Sequence, residues 1–191
     1  MHPQLAALLS QLERATARAG ELGALDDATF QTRPPGGGWS AAECIAHLSL
    51  TTAAVLPGID AALPTGRRDV ADRRRYRRGV VGSLLAWSLE PPARLRFQTL
   101  PAFVPGGTRS KGAILDEFAR LQGELADRMR GASGLDLNQL RIRSVFNARL
   151  SYNVYAAFCI LLAHERRHLW QGERAARAAR AARAITAGGG A

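Results

Sequence analysis

The chain has 191 residues, a formal net charge of +10 at pH 7, and 47% hydrophobic and 22% charged residues. This length is enough to bury the core of one large domain, and the composition is that of a soluble globular protein. No apolar run approaches the 18 or more residues of a membrane span, and the N-terminus lacks the basic start and apolar block of a signal peptide. The two cysteines, Cys44 and Cys159, lie inside apolar helical patterns, which favours small buried side chains in a reducing compartment over a disulfide. We therefore predict a cytoplasmic protein with no membrane partner.

The basic residues are almost all arginine, since Lys111 is the one lysine among 26 basic residues. With the abundant alanine and glycine, this skew is typical of GC-rich coding rather than of a selected binding surface. The arginine clusters at 67–78 and 174–183 contain one aromatic residue, Tyr76, so they offer no series of platforms for base stacking. We predict no dedicated nucleic-acid binding and keep weak nonspecific attraction as a less favoured alternative.

The first helix is predicted over residues 4–22, where Leu5, Leu8 and Leu12 share one stripe at helical spacing. Prolines and glycines over 26–38 predict a connecting loop.

The second helix is predicted to begin at Ser40, because Ser40 and Glu43 have the spacing of a capping box. In this arrangement the Ser40 hydroxyl accepts from the amide of Glu43, and the Glu43 carboxylate accepts from the amide of Ser40. Trp39 precedes the cap and can pack onto the first turn. Pro57 is expected to disturb the helix near its end.

The region from 59 to 110 has the least regular pattern in the chain. Residues 67–78 predict a solvated helix or loop, 80–89 form a short apolar segment of ambiguous type, and 94–100 alternate like an extended segment. A connection of this length suits a crossover between two neighbouring helices that run parallel.

Ser110 is predicted to cap a third helix, and a fourth and longest helix is predicted to begin near Ser151. We therefore predict an all-α fold, an antiparallel four-helix bundle with a long crossover between the second and third helices. Residues 1–172 would form the bundle. Residues 173–191 would form a solvated helical extension, rich in arginine and alanine, that frays into the closing glycines.

The histidines suggest a metal site. Of the four in the chain, His2 was expected to lie in a frayed N-terminus, His47 lies in the second helix, and His164 and His168 lie four residues apart in the fourth. A spacing of four places two imidazoles on one helix face, where both can bind one ion. With His47 they would give three nitrogen ligands and leave coordination positions open for water or substrate. From spacing alone, partly exposed histidines with no ligand remain the alternative.

Two motifs are informative together: Trp39-Ser40-x-x-Glu43-x-x-x-His47-Leu48, and His164-Glu165-Arg166-Arg167-His168-Leu169-Trp170-Gln171. In this order, with Phe103-x-Pro105 and the Ser110-led helix between them, they resemble the DinB-like superfamily of metal-dependent four-helix bundles. Small-thiol transferases and mycothiol-dependent maleylpyruvate isomerases are related to that superfamily.

The resemblance implies that His47, His164 and His168 bind a divalent metal, for which zinc, nickel and iron are all suitable. It implies a low-molecular-weight thiol as co-substrate and, together with the apolar segment 80–89, a homodimer. Glu43 would be either a partner of a ligand histidine in the outer shell or the capping carboxylate, and we favour the cap. The segment 145–150 lacks the His-Pro and glycine common there in the family, so the pocket rim and the substrate are expected to differ.

His164, Glu165 and His168 also fit His-Glu-x-x-His, the zinc-protease motif in which the glutamate is a general base. Such proteases take a third ligand downstream, and here only Glu173 follows, too close along the same helix. Glu165 is about 100° round the helix from His164, so we expected it to point away from a metal, towards Arg166 or solvent. The protease interpretation is therefore less favoured.

The leading hypothesis from sequence is a metal-dependent enzyme that transfers or adds a small thiol to an electrophilic small-molecule substrate. A metal on three neutral imidazoles keeps its positive charge and can acidify a thiol. The alternative is a non-enzymatic metal-binding or stress-response bundle, because no catalytic acid or base can be identified in the sequence.

Overall fold

The computed structural model describes residues 1–68, 75–92, 95, 98–107 and 109–188, with side chains up to residue 185. This part of the chain is almost entirely helical, with one short pair of strands. The elements are α1 (Pro3–Gly23), α2 (Asp27–Gln31), α3 (Ala41–Ala62), α4 (Gly79–Leu89), α5 (Lys111–Gly131), β1 (Arg141–Arg143), β2 (Ser151–Asn153) and α6 (Val154–Gly188).

Four long helices form the predicted bundle, in which α1 and α3 each pack against both α5 and α6. Two buried clusters give their directions. One contains the first halves of α1 and α6 with the second halves of α3 and α5, and the other contains the opposite halves. The helices α3 and α5 are therefore parallel neighbours joined by the crossover, and both run antiparallel to α1 and α6. This confirms the all-α bundle and the position of its crossover.

His2 does not lie in a frayed terminus. It is 5% exposed, its Nδ1 accepts from the amide of Gln4 at 3.2 Å, and its ring centroid lies 4.1 Å from that of Tyr76. It thus caps α1, a position where sequence rules look for serine, threonine, aspartate or asparagine.

The helix α3 begins at the predicted capping box, in which both hydrogen bonds between Ser40 and Glu43 form. It continues through Pro57, where a disturbance was predicted, and ends at Ala62. Pro57 and Ala53, whose carbonyl loses its helical partner, are both exposed, so water can hydrate that carbonyl. Residues 41–65 are long and apolar enough by composition to cross a membrane, which the sequence did not indicate. In this helix 67% of the 18-residue apolar window is buried, as in a core helix.

The crossover contributes a fifth helix to the packing, because α4 lies against α6. Gly82 allows the close approach, since a Cβ at this position would lie 2.5 Å from the Cβ of Ala156. The outer face of α4 is apolar and exposed, with Val80 86%, Leu84 60% and Trp87 50% exposed. Dimerisation through this segment remains a prediction.

Two other expectations for the crossover fall partly outside the described residues. Residues 69–74 of the arginine-rich stretch are not described, and 75–78 have no regular structure. Residues 94, 96 and 97 of the extended segment predicted over 94–100 also lie outside them.

The strands β1 and β2 form an antiparallel pair that the sequence did not indicate, with Ile142 opposite Tyr152. The pair ends directly at α6, where Asn153 Oδ1 accepts from the amide of Ala156 at 2.8 Å. The fourth bundle helix therefore begins at Val154, three residues after the predicted start.

The helix α6 continues without a break beyond residue 172. The expected solvation of this extension is wrong for its first turns, where Ala175, Ala176 and Ala179 are 4%, 4% and 1% exposed. Alanine methyl groups are small enough to pack closely, and Ala176 joins the cluster that contains Leu22 and Phe30. Alanine adds little to a hydrophobic pattern, so its burial here was not predicted.

Candidate metal centre

The three predicted histidines come together. His47, from the second turn of α3, meets His164 and His168 from the middle of α6, and the candidate ligand nitrogens all lie within 4.8 Å of one another. The Nε2 atoms of His47 and His164 are 3.2 Å apart. All three side chains are buried, with 3%, 7% and 8% exposure. The alternative of partly exposed histidines is therefore excluded.

The orientation of His47 is fixed by the crossover. Its Nδ1 lies 2.7 Å from the carbonyl oxygen of Phe103, which can only accept, so Nδ1 carries the proton. The Nε2 lone pair therefore faces the other two rings. A backbone carbonyl in this role is the usual support of a metal-binding histidine.

His164 has a weaker support of the same kind. Its Nδ1 lies 3.5 Å from Thr51 Oγ1, and that hydroxyl donates its own proton to the carbonyl of Leu48 at 3.0 Å. The hydroxyl is thus left as an acceptor for the imidazole N–H. His168 is different, because its Nδ1 is buried and has no hydrogen-bond partner among the described residues. One nitrogen from each ring lies within 4.8 Å of the other two, and an unprotonated imidazole nitrogen binds divalent metals, so the donor set fits a metal.

Electrostatics keep the three rings neutral. Burial lowers the pKa of His47, and burial lowers the pKa values of His164 and His168 well below the ordinary value of 6.5. The neighbouring histidines and the charge of Arg167 lower the last two further. Imidazole must be neutral to bind a metal, so the protein holds the ligands in the required state at pH 7.

Glu43 has the contacts of a capping residue. Its carboxylate accepts from the Ser40 amide at 2.9 Å and from Arg33 Nε at 2.9 Å, and the Arg33 hydrogen bond is the main cause of its lowered pKa. The nitrogen of His47 that a carboxylate could support is bound to Phe103 instead.

Glu165 corrects an expectation. It does not point to Arg166 or solvent but is 1% exposed, and its Oε1 accepts from Gln122 Nε2 of α5 at 2.9 Å. Burial raises its pKa to about 7. Glu165 does not line the cleft at the histidines, so it is not placed as the general base of a zinc protease.

The histidines form part of the wall of a cleft of about 1050 Å³. Aromatic rings surround them: the Trp39 centroid lies 4.8 Å from that of His47, and the Phe146 centroid lies 6.0 Å from that of His164. The described residues of the lining include no aspartate or glutamate, whereas Arg167 and Arg174 are present. The cleft is therefore apolar in its walls and positive in its charged groups.

Several groups at this site were not identified from sequence. Arg167 is 6% exposed and donates to the carbonyl oxygens of Ser88 at 3.2 Å and Leu95 at 2.6 Å, which ties α6 to the crossover. Tyr152, from β2, also lines the cleft, and burial raises its pKa. No local pattern indicates the burial of Arg167, because its neighbours Arg166 and His168 are polar. Tyr152 depends on a strand pair with no clear pattern.

Fold and site together define a four-helix bundle with a three-histidine candidate metal centre. The chain belongs to the DinB superfamily, whose sequence model matches residues 9–171. This range includes all three histidines. No curated protein and no solved structure matches the chain.

Proposed function

We propose that the protein is a metal-dependent transferase that adds a small thiol to an electrophilic small molecule. The observation that carries this proposal is the placement of three buried, neutral imidazoles in the wall of a large cleft that has no carboxylate in its described lining. A divalent cation bound there would supply a positive charge that favours the anionic form of a thiol.

The chain's own residues would orient and shield the reactants. The carbonyl of Phe103 fixes His47, and Trp39 packs on both His47 and His168 with centroid distances of 4.8 and 5.8 Å. These rings limit the access of water to the histidines. Arg174 lines the same cleft, and its guanidinium carbon lies 4.7 Å from the Trp170 ring centroid, a contact that holds its positive charge at the cleft. The cleft thus suits a substrate with an apolar body and a negative group.

The test is thiol consumption by the metal-loaded protein, with cysteine, glutathione or mycothiol and a panel of alkyl halides, epoxides and α,β-unsaturated carbonyl compounds. We expect turnover that is lost on chelation and in His168→Ala. The matched control is His2→Asn, which changes the histidine outside the site and retains a side chain that can cap α1.

Metal bound at the site with no turnover for any pair of substrates would favour the second candidate, a metal-binding bundle without catalysis. That candidate rests on the absence of aspartate and glutamate among the described residues that line the cleft.

A further inference from the structure

A second cavity, of about 580 Å³, lies on the opposite face of α6. Cys159 and Arg166 line it. Five residues separate Cys159 from His164, a rotation of about 140°, and two separate His164 from Arg166, a rotation of about 200°. The triad and this cavity are therefore separate sites on the two sides of one helix. We call it the arginine pocket.

The segment that carries most of the arginines of this pocket, residues 75–78, is held in place by hydrogen bonds to its backbone. The Tyr76 amide donates to Gln4 Oε1 at 2.8 Å, and Gln4 Nε2 donates to the Tyr76 carbonyl at 3.1 Å. On the next residue, the Arg77 amide donates to Asn138 Oδ1 at 2.8 Å, and Asn138 Nδ2 donates to the Arg75 carbonyl at 3.2 Å. A segment fixed on both sides presents its side chains without a further cost of ordering the backbone on binding.

The pocket carries positive charge that no described residue neutralises. Arg75, Arg77 and Arg78 all line it, and their side chains make no hydrogen bond or ion pair within the described residues. Arg166 is paired with Glu90, at 2.9 Å between Nε and Oε2. The described residues of the lining include no aspartate or glutamate.

The charge of Arg78 reaches the interior of the pocket. Burial raises the pKa values of Tyr155 and Cys159, and Arg78 acts against that rise at both groups. The guanidinium groups of the wall can donate hydrogen bonds to an anion, whereas Gln4 Nε2 already donates to the Tyr76 carbonyl and to the Tyr155 hydroxyl.

We propose that the arginine pocket binds a small anion of the phosphate type, such as the phosphate or diphosphate group of a metabolite. A guanidinium group matches the geometry of a phosphate, because two of its N–H groups can donate to two phosphate oxygens at once. A concave pocket of this volume is in the range of small-ligand sites. A nucleic acid would instead require an open basic stripe with stacking aromatics, and Tyr76 is buried with its hydroxyl donating to the Leu135 carbonyl.

Calorimetric titration of the full-length, metal-free protein with pyrophosphate tests the proposal, because the anion then cannot bind through a metal. We expect one saturable site per chain. Arg78→Gln should weaken binding by roughly tenfold, as expected for loss of a hydrogen bond to a charged group. Ser83→Glu should also weaken it, because this exposed residue of α4 lines the pocket and the new carboxylate would repel the anion.

The matched control is Arg180→Gln, which removes the same charge from an exposed position outside the pocket. Equal weakening by Arg78→Gln and Arg180→Gln would overturn the proposal, since it would show attraction to net charge alone. No saturable binding, or unchanged affinity in both Arg78→Gln and Ser83→Glu, would also overturn it. Loss of binding in His47→Ala would place the anion at the histidines instead.

A further arm of the experiment tests duplex DNA by fluorescence anisotropy. If DNA displaces pyrophosphate and its affinity falls more steeply than that of pyrophosphate in Arg78→Gln, a nucleic acid is the occupant and the small-anion proposal is wrong.

Discussion

The two faces of α6 use burial in opposite ways. On one face, burial removes the charge from His164 and His168, so the site offers lone pairs to a cation. On the other, exposed Arg77 and Arg78 keep their charge and are suited to an anion. The comparison shows that a net charge of +10 does not say what the protein binds. The kind of side chain at each cavity, and the burial of the histidines, are the better guide.

The largest effect is expected from removing one histidine of the triad. His47→Ala should reduce the metal content from about one ion per chain to a small residue, because two imidazoles from one helix leave the ion without its ligand on α3. Elemental analysis of purified protein gives the answer, with His2→Asn as the control. Full retention of metal in His47→Ala would refute the three-histidine site, whereas pyrophosphate binding at the arginine pocket should be unchanged.

A second change should disturb both faces together, because α4 contributes Ser83 to the arginine pocket and Leu89 to the triad cleft. In Gly82→Ala the new methyl would meet the Cβ of Ala156 at 2.5 Å, so α4 must shift. We expect a loss of about 1–3 kcal/mol in the free energy of unfolding.

Urea denaturation measures this loss. Gly123→Ala is the control, since Gly123 lies in α5 with nothing near its added Cβ, and there alanine should stabilise by about 0.5–1 kcal/mol. Equal stability changes in the two variants would contradict the tight contact between α4 and α6.

Chelation should affect only the triad face. The two buried clusters can hold the bundle together without an ion, so chelated protein should stay helical by circular dichroism and melt at a lower temperature than the metal-loaded form. The difference should shrink from pH 8 towards pH 5. Since the folded pKa values lie below 6.5, the decrease should occur at lower pH than for exposed histidines.

The metal-free protein should show the corresponding linkage. Histidines with lowered folded pKa values contribute stability above about pH 6.5, and it is lost as the pH falls through those folded values. An apo form without helical signal would make the ion structural. A metal-dependent shift in melting that does not vary with pH would mean that histidines are not the ligands.

The last effect concerns Glu165, which lies on neither face, and it is confined to a narrow range of pH. Its folded pKa of about 7 exceeds the ordinary value of 4.5, so the folded protein binds more protons than the unfolded chain between these values. The stability contributed by its protonated form is complete below about pH 4.5 and is lost as the pH rises through 7. Glu165→Gln, which resembles the protonated acid, should gain on the wild type by at most about 1.4 kcal/mol per pH unit over this range. Parallel stability curves for the two metal-free proteins would show that Glu165 is not buried as a neutral acid.

Local sequence rules predicted the parts of the site that depend on one helix. The spacing of His164 and His168 and the capping box at Ser40 both follow from helix geometry, and both are present. The supports of the histidines could not be predicted, because the Phe103 carbonyl reaches His47 across 56 positions of sequence. The same limit applies to Glu165, whose partner Gln122 lies on another helix.

The errors over α6 have a different origin. Alanine and arginine repeats are normally typical of a solvated helix, yet Ala176 and Ala179 are buried. The prediction failed because α2, which packs against α6, was not predicted. The helix α2 has only five residues, too short for a periodic pattern to be recognised.

Because α6 is unbroken, the number of residues between its two sites cannot change in evolution without disturbing one of them. One inserted residue between Cys159 and His164 would rotate one site against the other by about 100° and move it by about 1.5 Å along the axis. The residues of α6 at one of the two sites, the histidines or those of the arginine pocket, would then lose their contacts with α1, α3 and α4. The rotation and the distance along α6 between the two cavities are therefore fixed. Related chains that keep both cavities should accept substitutions in this stretch but no insertion or deletion.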